Sequence, residues 1–339
     1  MRGQHFDYLD GWRGLAISLL LIGHFVPVSG INFGVVGVRL FFVLSGLLMS
    51  RLLFVQEVPL GTFYQRRITR IFPAAFVFLA AVVTLFLVFG KQMNWKETLM
   101  AALFINNYFP GVPGKAIMPF GHIWSLSVEE HSYVLLALLA FAARRKTWSA
   151  VVSTAIASAV CIVAIICYFF QPELGPFRWL RTEVAGYGIF LTAFLVLFLG
   201  RRNVPEMPWF LYPALLAVGI AIHWWSIPVP IQIIFGQGAF ALAVILLPAA
   251  PQIVKSALSF WLLRRLGVLS FSIYLWQQPF YLMVHRNGMS VWVALPLALL
   301  CGIASFYLIE KPARRYLNQR WASSAGNDIA ISPLPAKLK

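Results

Sequence analysis

The sequence contains few charged residues. They make up 11% of its 339 residues, and only 11 residues are Asp or Glu, whereas 60% of all residues are hydrophobic. Several runs longer than about 18 residues carry few or no charges, which is typical of membrane-spanning helices and excludes a soluble globular protein. The chain also has no internal repeats, and no stretch of it predicts a soluble domain.

The sequence contains only three cysteines, and no signal peptide is visible in it. Cys161, Cys167 and Cys301 lie in apolar runs, and their spacing fits neither a metal site nor a disulfide framework. We therefore expect all three to pack in the core, and we expect no bound metal. Residues 1–10 lack the short apolar core and cleavage site of a signal peptide, so the first helix is expected to direct membrane insertion.

Basic residues are the charges that the sequence does have, 27 of them against 11 acids. In a soluble chain this excess would suggest nucleic acid, but here Lys and Arg lie in short clusters between apolar runs, which indicates membrane topology and no nucleic-acid partner. With the N-terminus inside, most of the basic residues fall in cytoplasmic segments. The pattern predicts an all-α, polytopic membrane protein with about ten transmembrane helices and both termini cytoplasmic.

The predicted helices have definite positions along the chain. They lie near residues 12–28, 33–54, 73–90, 122–143, 148–170, 184–199, 209–225, 231–247, 266–284 and 291–309. Residues 95–109 are too short for a span and are followed by prolines, so we assign them to the outer face as a short or re-entrant segment. Residues 1–320 are expected to form one membrane domain, and residues 321–339, rich in Ser, Ala and Pro, a disordered tail.

The first helix carries two ionisable residues in the run WRGLAISLLLIGHF, Arg13 and His24. Eleven helical steps separate them, so both side chains lie on one face, about 16 Å apart. A polar residue inside a membrane helix is costly and by default faces the bundle interior, where it marks a site. The alternative is that Arg13 is a cytoplasmic anchor and His24 an interior histidine with satisfied hydrogen bonds.

A basic loop is predicted over residues 51–72, and it contains Arg66, Arg67 and Arg70. The last two have i, i+3 spacing, so on one helix face they could hold a phosphate through forked hydrogen bonds. The alternative is that these arginines only contact anionic lipid.

Two adjacent acids occur inside the fourth predicted helix, in the segment WSLSVEEHSY. Ser125 shares a face with Glu129, whereas Glu130 points about 100° away. We therefore expect one acid to face a site and the other to pair with a basic residue. The candidate partners are Arg39, Arg181 and His24. The alternative is a buried ion pair that only holds helices together.

Helix positions predict an order of depth for these groups: arginines at the inner face, His24 in the middle and the glutamates in the outer half. This order fits a donor that enters from the cytoplasm and an acceptor that enters from outside. It also fits a proton-coupled transporter.

Seven segments resemble, in order, the landmarks of acyltransferase family 3, the bacterial integral-membrane O-acyltransferases. They are LDGWRGLAISLLLIGHF, GVRLFFVLSGLLMSRLL, FYQRRITRIFP, WSLSVEEHSYV, RTEVAGYG, SFSIYLWQQPF and IEKPARRYL. The resemblance runs from about residue 7 to residue 317. Its most specific parts are the arginine and histidine of the first helix, the R-x-x-R at residues 67–70, and WSLSVEE.

The resemblance implies an activity and roles for named residues. Members move an acyl group, usually acetyl, from cytoplasmic acyl-CoA to a hydroxyl of an extracytoplasmic glycan or lipid-linked sugar. By this resemblance His24 corresponds to the catalytic histidine, Arg13 to its partner, and Arg67 and Arg70 to the donor-side arginines. The chain departs from the pattern at Arg39, where an acidic residue is common, and at the His of EEH. Both departures concern the acceptor side.

These observations lead to a hypothesis, an O-acyltransferase of a bacterial cytoplasmic (inner) membrane whose partners are acyl-CoA, a glycan acceptor and membrane lipids. His24 would act as general base. The other candidate site residues are Arg13, Glu129 and Glu130 for catalysis, Arg66, Arg67 and Arg70 for the CoA phosphates, and Trp124, Ser125 and Arg39 for the substrate. The rivals are a proton-coupled transporter of glycans or acids, with His24 and Glu129 as relay, and a non-catalytic scaffold for polysaccharide assembly.

Overall fold

The computed structural model of the chain describes residues 6–109, 118–200 and 207–324. These residues are predominantly helical, and among them the only extended pairing is an isolated bridge between Ile31 and Trp224. The expected all-α fold is confirmed.

Fifteen α-helices follow one another in the described ranges. They are α1 Asp7–Phe25, α2 Phe33–Ser50, α3 Leu60–Val88, α4 Trp95–Ala102, α5 Trp124–Arg144, α6 Ala150–Phe169, α7 Thr182–Ala185, α8 Tyr187–Leu199, α9 Leu211–Ala221, α10 Val229–Ile231, α11 Gln237–Leu246, α12 Gln252–Leu258, α13 Trp261–Asn287, α14 Val291–Ser305 and α15 Lys311–Ser324. Short 3-10 turns lie at Gly121–Ile123, Pro172–Leu174, Pro176–Leu180 and Leu247–Ala249, and π turns at Arg51–Val55, Gln232–Gly236 and Phe306–Glu310.

Many of these helices are suited to a membrane. Within the described residues, seven stretches are long and apolar enough to cross one: Phe33–Val55, Leu60–Val88, Gly121–Arg144, Ala150–Phe169, Thr182–Leu199, Val229–Ala249 and Val291–Trp321. The pair α12 and α13, bent by 54°, adds an eighth if it forms one span. A multi-pass membrane protein is therefore indicated. The remaining two predicted spans coincide with α1 and the shorter α9, so the count of ten stays a prediction.

The predicted cytoplasmic loop over residues 51–72 is wrong. Helix α3 begins at Leu60, and Pro73 lies inside it. The prediction took Pro73 for a helix start, because proline is favoured in the first turn. In the structure Pro59 precedes the helix instead, and its carbonyl oxygen accepts a hydrogen bond from Phe63 N at 2.9 Å.

The C-terminal boundary also differs from the prediction. Residues Lys311–Ser324 form α15, which continues from the π turn after α14. The predicted disordered tail at residues 321–339 lies mostly outside the described residues, and its first four residues belong to this helix.

The three cysteines are free, but they do not share one environment. Cys161 is buried, Cys301 is partly buried, and Cys167 is exposed. The expectation of three core cysteines is therefore wrong for Cys167. Six helical steps separate Cys161 from Cys167, which places them on different faces of α6.

Helix α1 packs along α13, and the two run parallel. Their backbones approach closely at glycines: a Cβ at Gly14 would lie 1.9 Å from Leu263 O, and one at Gly267 would lie 1.8 Å from Asp10 O. Small residues allow such close helix contacts. The contact fixes the position of α1 side chains relative to those of α13.

Candidate active site

A cavity of about 90 Å³ lies between α1, α2, α3, α5 and α13. This volume has room for several water molecules. We call it the arginine cavity. Its polar lining residues are Arg13, Ser45, Arg67, Arg70, Ser125, Glu129, Tyr133, Ser270 and Tyr274.

The two adjacent glutamates of α5 point to different partners. Glu129 lines the arginine cavity and accepts a hydrogen bond from Ser45 Oγ at 2.8 Å. Glu130 forms an ion pair with Arg67 at 3.1 Å. The expected divergence is therefore present, but the partner is Arg67 and none of the three candidates that the sequence suggested.

Arg67 is held on several sides. In addition to the ion pair with Glu130, its guanidinium lies 3.6 Å from the ring centroid of Tyr133, and Nη1 contacts Met49 Sδ at 3.6 Å. Its side chain is only 11% exposed. Because these contacts hold its guanidinium, Arg67 forms part of the wall of the arginine cavity and offers few free hydrogen-bond donors.

The three predicted donor-side arginines do not act as one group. Arg70 lines the arginine cavity, and no hydrogen bond or ion pair holds it in the described part of the chain. Arg66 is exposed and is not among the lining residues. Arg13 lines the cavity and lies 3.8 Å from Asp10, one helical turn earlier.

Two residues near Arg70, Glu310 and Arg314, were missed by the sequence analysis. Glu310 is 3% exposed and accepts a hydrogen bond from Ser272 Oγ at 2.7 Å. The charges of Arg70 and Arg314 both act on this carboxylate. Both residues belong to the segment EKPARRY, whose charges directly after the last apolar run were the available signal.

The predicted substrate-binding pair in WSLSVEE is split. Ser125 lines the arginine cavity and is hydrogen-bonded to Tyr274 OH at 2.6 Å. The same phenol donates to the backbone carbonyl oxygen of His122, so Ser125 is the donor to Tyr274. Trp124 does not line the cavity, and it packs edge-on against Phe42 at 5.9 Å between ring centroids.

His24 occupies a separate, uncharged environment. Its Nδ1 lies 2.7 Å from Gln277 Oε1, and its ring packs on Tyr281 at 4.5 Å between centroids. Because an amide oxygen only accepts hydrogen bonds, Nδ1 is the donor and Nε2 carries the lone pair. A Cβ at Gly34 would lie 3.0 Å from Nε2, so any side chain at this position would crowd the nitrogen.

Arg13 and His24 both face α13, but they do not meet. Arg13 borders the arginine cavity with Ser270 and Tyr274, whereas His24 contacts Gln277 and lies outside the cavity lining. Their separation along α1 is about 16 Å by the helical rise. The role of Arg13 as a direct partner of His24 has no contact to support it.

The predicted order of depth is wrong. His24 lies in the last turn of α1, which ends at Phe25, and Glu129 lies with the arginines and not beyond the histidine. The reason is that Arg67 and Arg70 belong to helix α3. They therefore extend to the level of Glu129, whereas a loop would have kept them outside the bundle.

The two departures from the family pattern lie away from the arginine cavity. Arg39 is 8% exposed and shares a face of α2 with Val43, which packs near Gly188 of α8. His131 Nδ1 lies 2.8 Å from Thr182 Oγ1. Neither residue is among the lining residues.

A family comparison now gives this geometry a context. The family model of acyltransferase family 3, described as an acyltransferase domain, matches residues 6–310 of the chain. The chain belongs to acyltransferase family 3. The family assignment drawn from the sequence is confirmed.

Several curated proteins are similar to the chain. The O-acetyltransferase OatA of Staphylococcus aureus is 32% identical over 153 residues, 40% of this chain and 25% of OatA. YrhL of Bacillus subtilis, named as a candidate peptidoglycan O-acetyltransferase, is 24% identical over 92% of this chain and 56% of its own length. BcsY of Komagataeibacter xylinus, named as a candidate membrane-bound transacylase, is 26% identical over 95% of this chain and 86% of its own.

The chain thus spans between a quarter and about half of the length of OatA and YrhL. No solved structure matches it. In this family member, the described residues contain no group of three or more His, Cys, Asp or Glu side chains able to hold a metal ion.

Proposed function

We propose that the protein is a membrane O-acyltransferase that moves an acyl group, acetyl foremost, from acyl-CoA to a hydroxyl of a surface polysaccharide or lipid-linked sugar. Membership of acyltransferase family 3 supports the reaction class. The names of OatA and BcsY, an O-acetyltransferase and a transacylase, agree with it.

The observation that carries this proposal is the fixed tautomer of His24. Its Nδ1–H donates to Gln277, and its Nε2 lone pair lies beside Gly34, where no side chain crowds it. An imidazole held in this way can accept a proton from an alcohol, and general-base catalysis contributes about 10²–10⁴-fold in rate.

The reaction would proceed as follows. Nε2 of His24 takes the proton of the acceptor hydroxyl while the hydroxyl oxygen attacks the thioester carbonyl. The tetrahedral intermediate then breaks its carbon–sulfur bond, and the leaving thiolate takes the proton from the imidazolium. The products are the acylated sugar and CoA.

The donor would bind with its phosphates at the arginine cavity, where Arg70 has free donors and Arg13 and Arg67 add positive charge. The phosphates and the thioester of acyl-CoA are joined by a long flexible arm. The arm can therefore bridge the distance of about 16 Å between Arg13 and His24. In this arrangement Glu130 holds Arg67 in place, and Glu129 faces the donor.

The proposed topology has ten spans with both termini in the cytoplasm, in the cytoplasmic (inner) membrane of a bacterium. The distribution of Lys and Arg supports it. The parallel packing of α1 and α13 also supports it, because a first and a ninth span cross the membrane in the same direction.

The test uses the purified protein in lipid nanodiscs with labelled acetyl-CoA, and mass spectrometry of surface glycans from cells that express each variant. His24→Ala should bind acetyl-CoA but lose transfer by about 10²-fold or more. His285→Ala is the control for loss of a histidine that stacks on the same Tyr281 ring, since His285 is exposed and its Nδ1 is hydrogen-bonded to Tyr281 O of its own helix. Transfer by His24→Ala at the wild-type rate would refute the mechanism. A wild-type protein that moves glycans without consuming acetyl-CoA would identify a transporter.

A further inference from the structure

A second cavity, of about 470 Å³, is separate from the arginine cavity and shares no lining residue with it. Its wall comes from the π turn after α2, the end of α5, the start of α6 and the end of α8. The volume lies within the range of ligand sites, about 300–1,000 Å³. We call it the interface cavity.

The interface cavity lies where the surface of the membrane is expected. Each of four candidate spans contributes a lining residue from its first or last turn. These spans are Phe33–Val55, Gly121–Arg144, Ala150–Phe169 and Thr182–Leu199. Because membrane spans end at the level of the lipid headgroups, the cavity lies at that level. In the proposed topology this is the cytoplasmic side.

Arg144 is a fixed cation in the wall of the interface cavity. Its Nη2 donates to Leu53 O and to Val58 O, both at 2.8 Å. Its Nη1 makes no hydrogen bond to any residue that the structure describes, and its Nε is buried without a partner. Arg144 therefore ties the end of α5 to the connection between α2 and α3, and it keeps a donor for an anion.

Lys146 and Glu57 place opposite charges on the same cavity without pairing. Both side chains are exposed, and neither has an ion pair or a hydrogen bond among the described residues. Their φ angles are 57° and 49°. Residues other than glycine seldom adopt this conformation, and those that do are concentrated at functional sites. A ligand that carries both charges would satisfy the two side chains together.

The rest of the lining suits an amphiphile. Leu53, Phe54 and Leu197 give the cavity an apolar wall, and Trp148 lines it with 59% of its surface exposed. Tryptophan is enriched at the level of the headgroups. From this end of the bundle, α6 also exposes an apolar stripe at four-residue spacing along its length, formed by Val152, Ile156 and Val160. Lipid chains can lie along such a stripe.

We propose that the interface cavity binds the headgroup of phosphatidylethanolamine. The phosphate contacts Arg144 and Lys146, the ammonium donates to Glu57, and the acyl chains leave along the apolar wall. Phosphatidylglycerol has no cation for Glu57. The quaternary ammonium of phosphatidylcholine has no N–H to donate.

A lipid bound in this way would brace the helix that carries the donor-side arginines. Arg144 holds Val58, and Val58 lies two residues before the start of α3. The headgroup would join Arg144 and Lys146 of the α5 end to Glu57 of the same connection. The proposal is independent of acyl transfer, since it concerns only lipid binding and the stability of this connection.

The test compares three lipids with the same dioleoyl chains: phosphatidylethanolamine, phosphatidylglycerol and phosphatidylcholine. The full-length protein, purified in detergent, is mixed with all three, and the lipids that remain bound are identified by native mass spectrometry. The wild type should retain phosphatidylethanolamine at least about threefold over each of the others, an effect limited by the solvent exposure of the charges. The same lipid should raise Tm most.

Two variants separate the two halves of the headgroup. Glu57→Gln should remove the preference for phosphatidylethanolamine over phosphatidylglycerol, and Lys146→Gln should weaken the binding of both. The matched controls are Glu173→Gln and Arg145→Gln, at exposed residues outside the lining, and both should behave as the wild type. All four substitutions change exposed side chains and keep their length or polarity, so the proteins should fold.

Three results would overturn the proposal. The first is equal retention of the three lipids by the wild type. The second is strongest retention of phosphatidylglycerol, which would show a general attraction of anions. The third is a preference that survives in both Glu57→Gln and Lys146→Gln, or that is lost equally in Arg145→Gln.

Discussion

The two ends of α1 present opposite chemical environments. At the Arg13 end, the arginine cavity combines three arginines with Glu129, and one of these arginines, Arg67, is paired to Glu130. At the other end, His24 meets the neutral amide of Gln277 and the ring of Tyr281. Charge is suited to holding phosphates, whereas a base needs a fixed tautomer and a free lone pair. The separation assigns binding and proton transfer to different ends of one helix.

Helix α13 connects the two environments. Ser270 and Tyr274 face the arginine cavity, and Gln277 and Tyr281 face His24. Variants at each end should therefore change different measured quantities. The following four predictions test this difference, beginning with the largest expected effect.

The Arg67–Glu130 pair should matter most for stability. Arg67→Ala leaves Glu130, whose side chain is 18% exposed, without its partner, and breaking a largely buried pair on one side costs up to about 3–5 kcal/mol. We expect a clear loss of thermal stability in detergent, measured by the unfolding of the purified protein. The double variant with Arg67→Met and Glu130→Gln removes both charges and should recover much of the loss. An Arg67→Ala protein as stable as the wild type would show that the pair is not structural.

Gln277 should matter most for turnover. Gln277→Leu removes the acceptor that fixes the His24 tautomer, so kcat should fall on the order of 10²-fold. The KM for acetyl-CoA should not change, because the arginine cavity is intact. Gln278→Leu is the neighbouring control, and it should have a smaller effect because Gln278 contacts Gln277 and not the histidine. A donor KM that rises with Gln277→Leu would contradict the separation of the two ends.

Arg70 should matter most for donor binding. Arg70→Ala should raise the KM for acetyl-CoA by about 10–100-fold, since a charge-assisted hydrogen bond contributes about 1.5–3 kcal/mol. The exposed Arg66 provides the matched control, and Arg66→Ala should leave this KM near its wild-type value. If both substitutions raised the KM equally, the two arginines would only attract anions in general, and neither would hold a donor phosphate specifically.

Gly34 should have the smallest effect of the four. The added Cβ of Gly34→Ala would lie 3.0 Å from His24 Nε2, so it should crowd the acceptor hydroxyl and lower kcat by several-fold, roughly 1 kcal/mol of barrier. Gly61→Ala is the control, because a Cβ there meets no atom within 4 Å. Steady-state kinetics with a soluble acceptor would measure the difference.

Local patterns were sufficient for some features of the site. The spacing of Arg13 and His24 predicts a common face, and both residues do face α13. Adjacent positions in a helix point about 100° apart, which predicts that Glu129 and Glu130 diverge. These inferences depend only on helix geometry within one element.

Features that depend on distant partners could not be predicted. The pairing of Arg67 with Glu130 joins residues 63 positions apart, and that of His24 with Gln277 joins residues 253 positions apart. Helix composition does not specify which faces meet. The sequence did predict a common helix face for Arg67 and Arg70, but it missed that they belong to the same long helix as Pro73, because Pro73 suggested a boundary that the packed helix does not have.

The parallel contact of α1 and α13 has a consequence for how the protein is made. His24 leaves the ribosome 253 residues before Gln277. At about 5–20 residues per second, translation alone separates the two by roughly 10–50 seconds. Throughout that interval the glycine-lined face of α1 has been synthesised and its partner has not. Folding intermediates that precede α13 therefore lack an oriented base, and a chain interrupted before α13 should be inactive even if its earlier helices insert correctly.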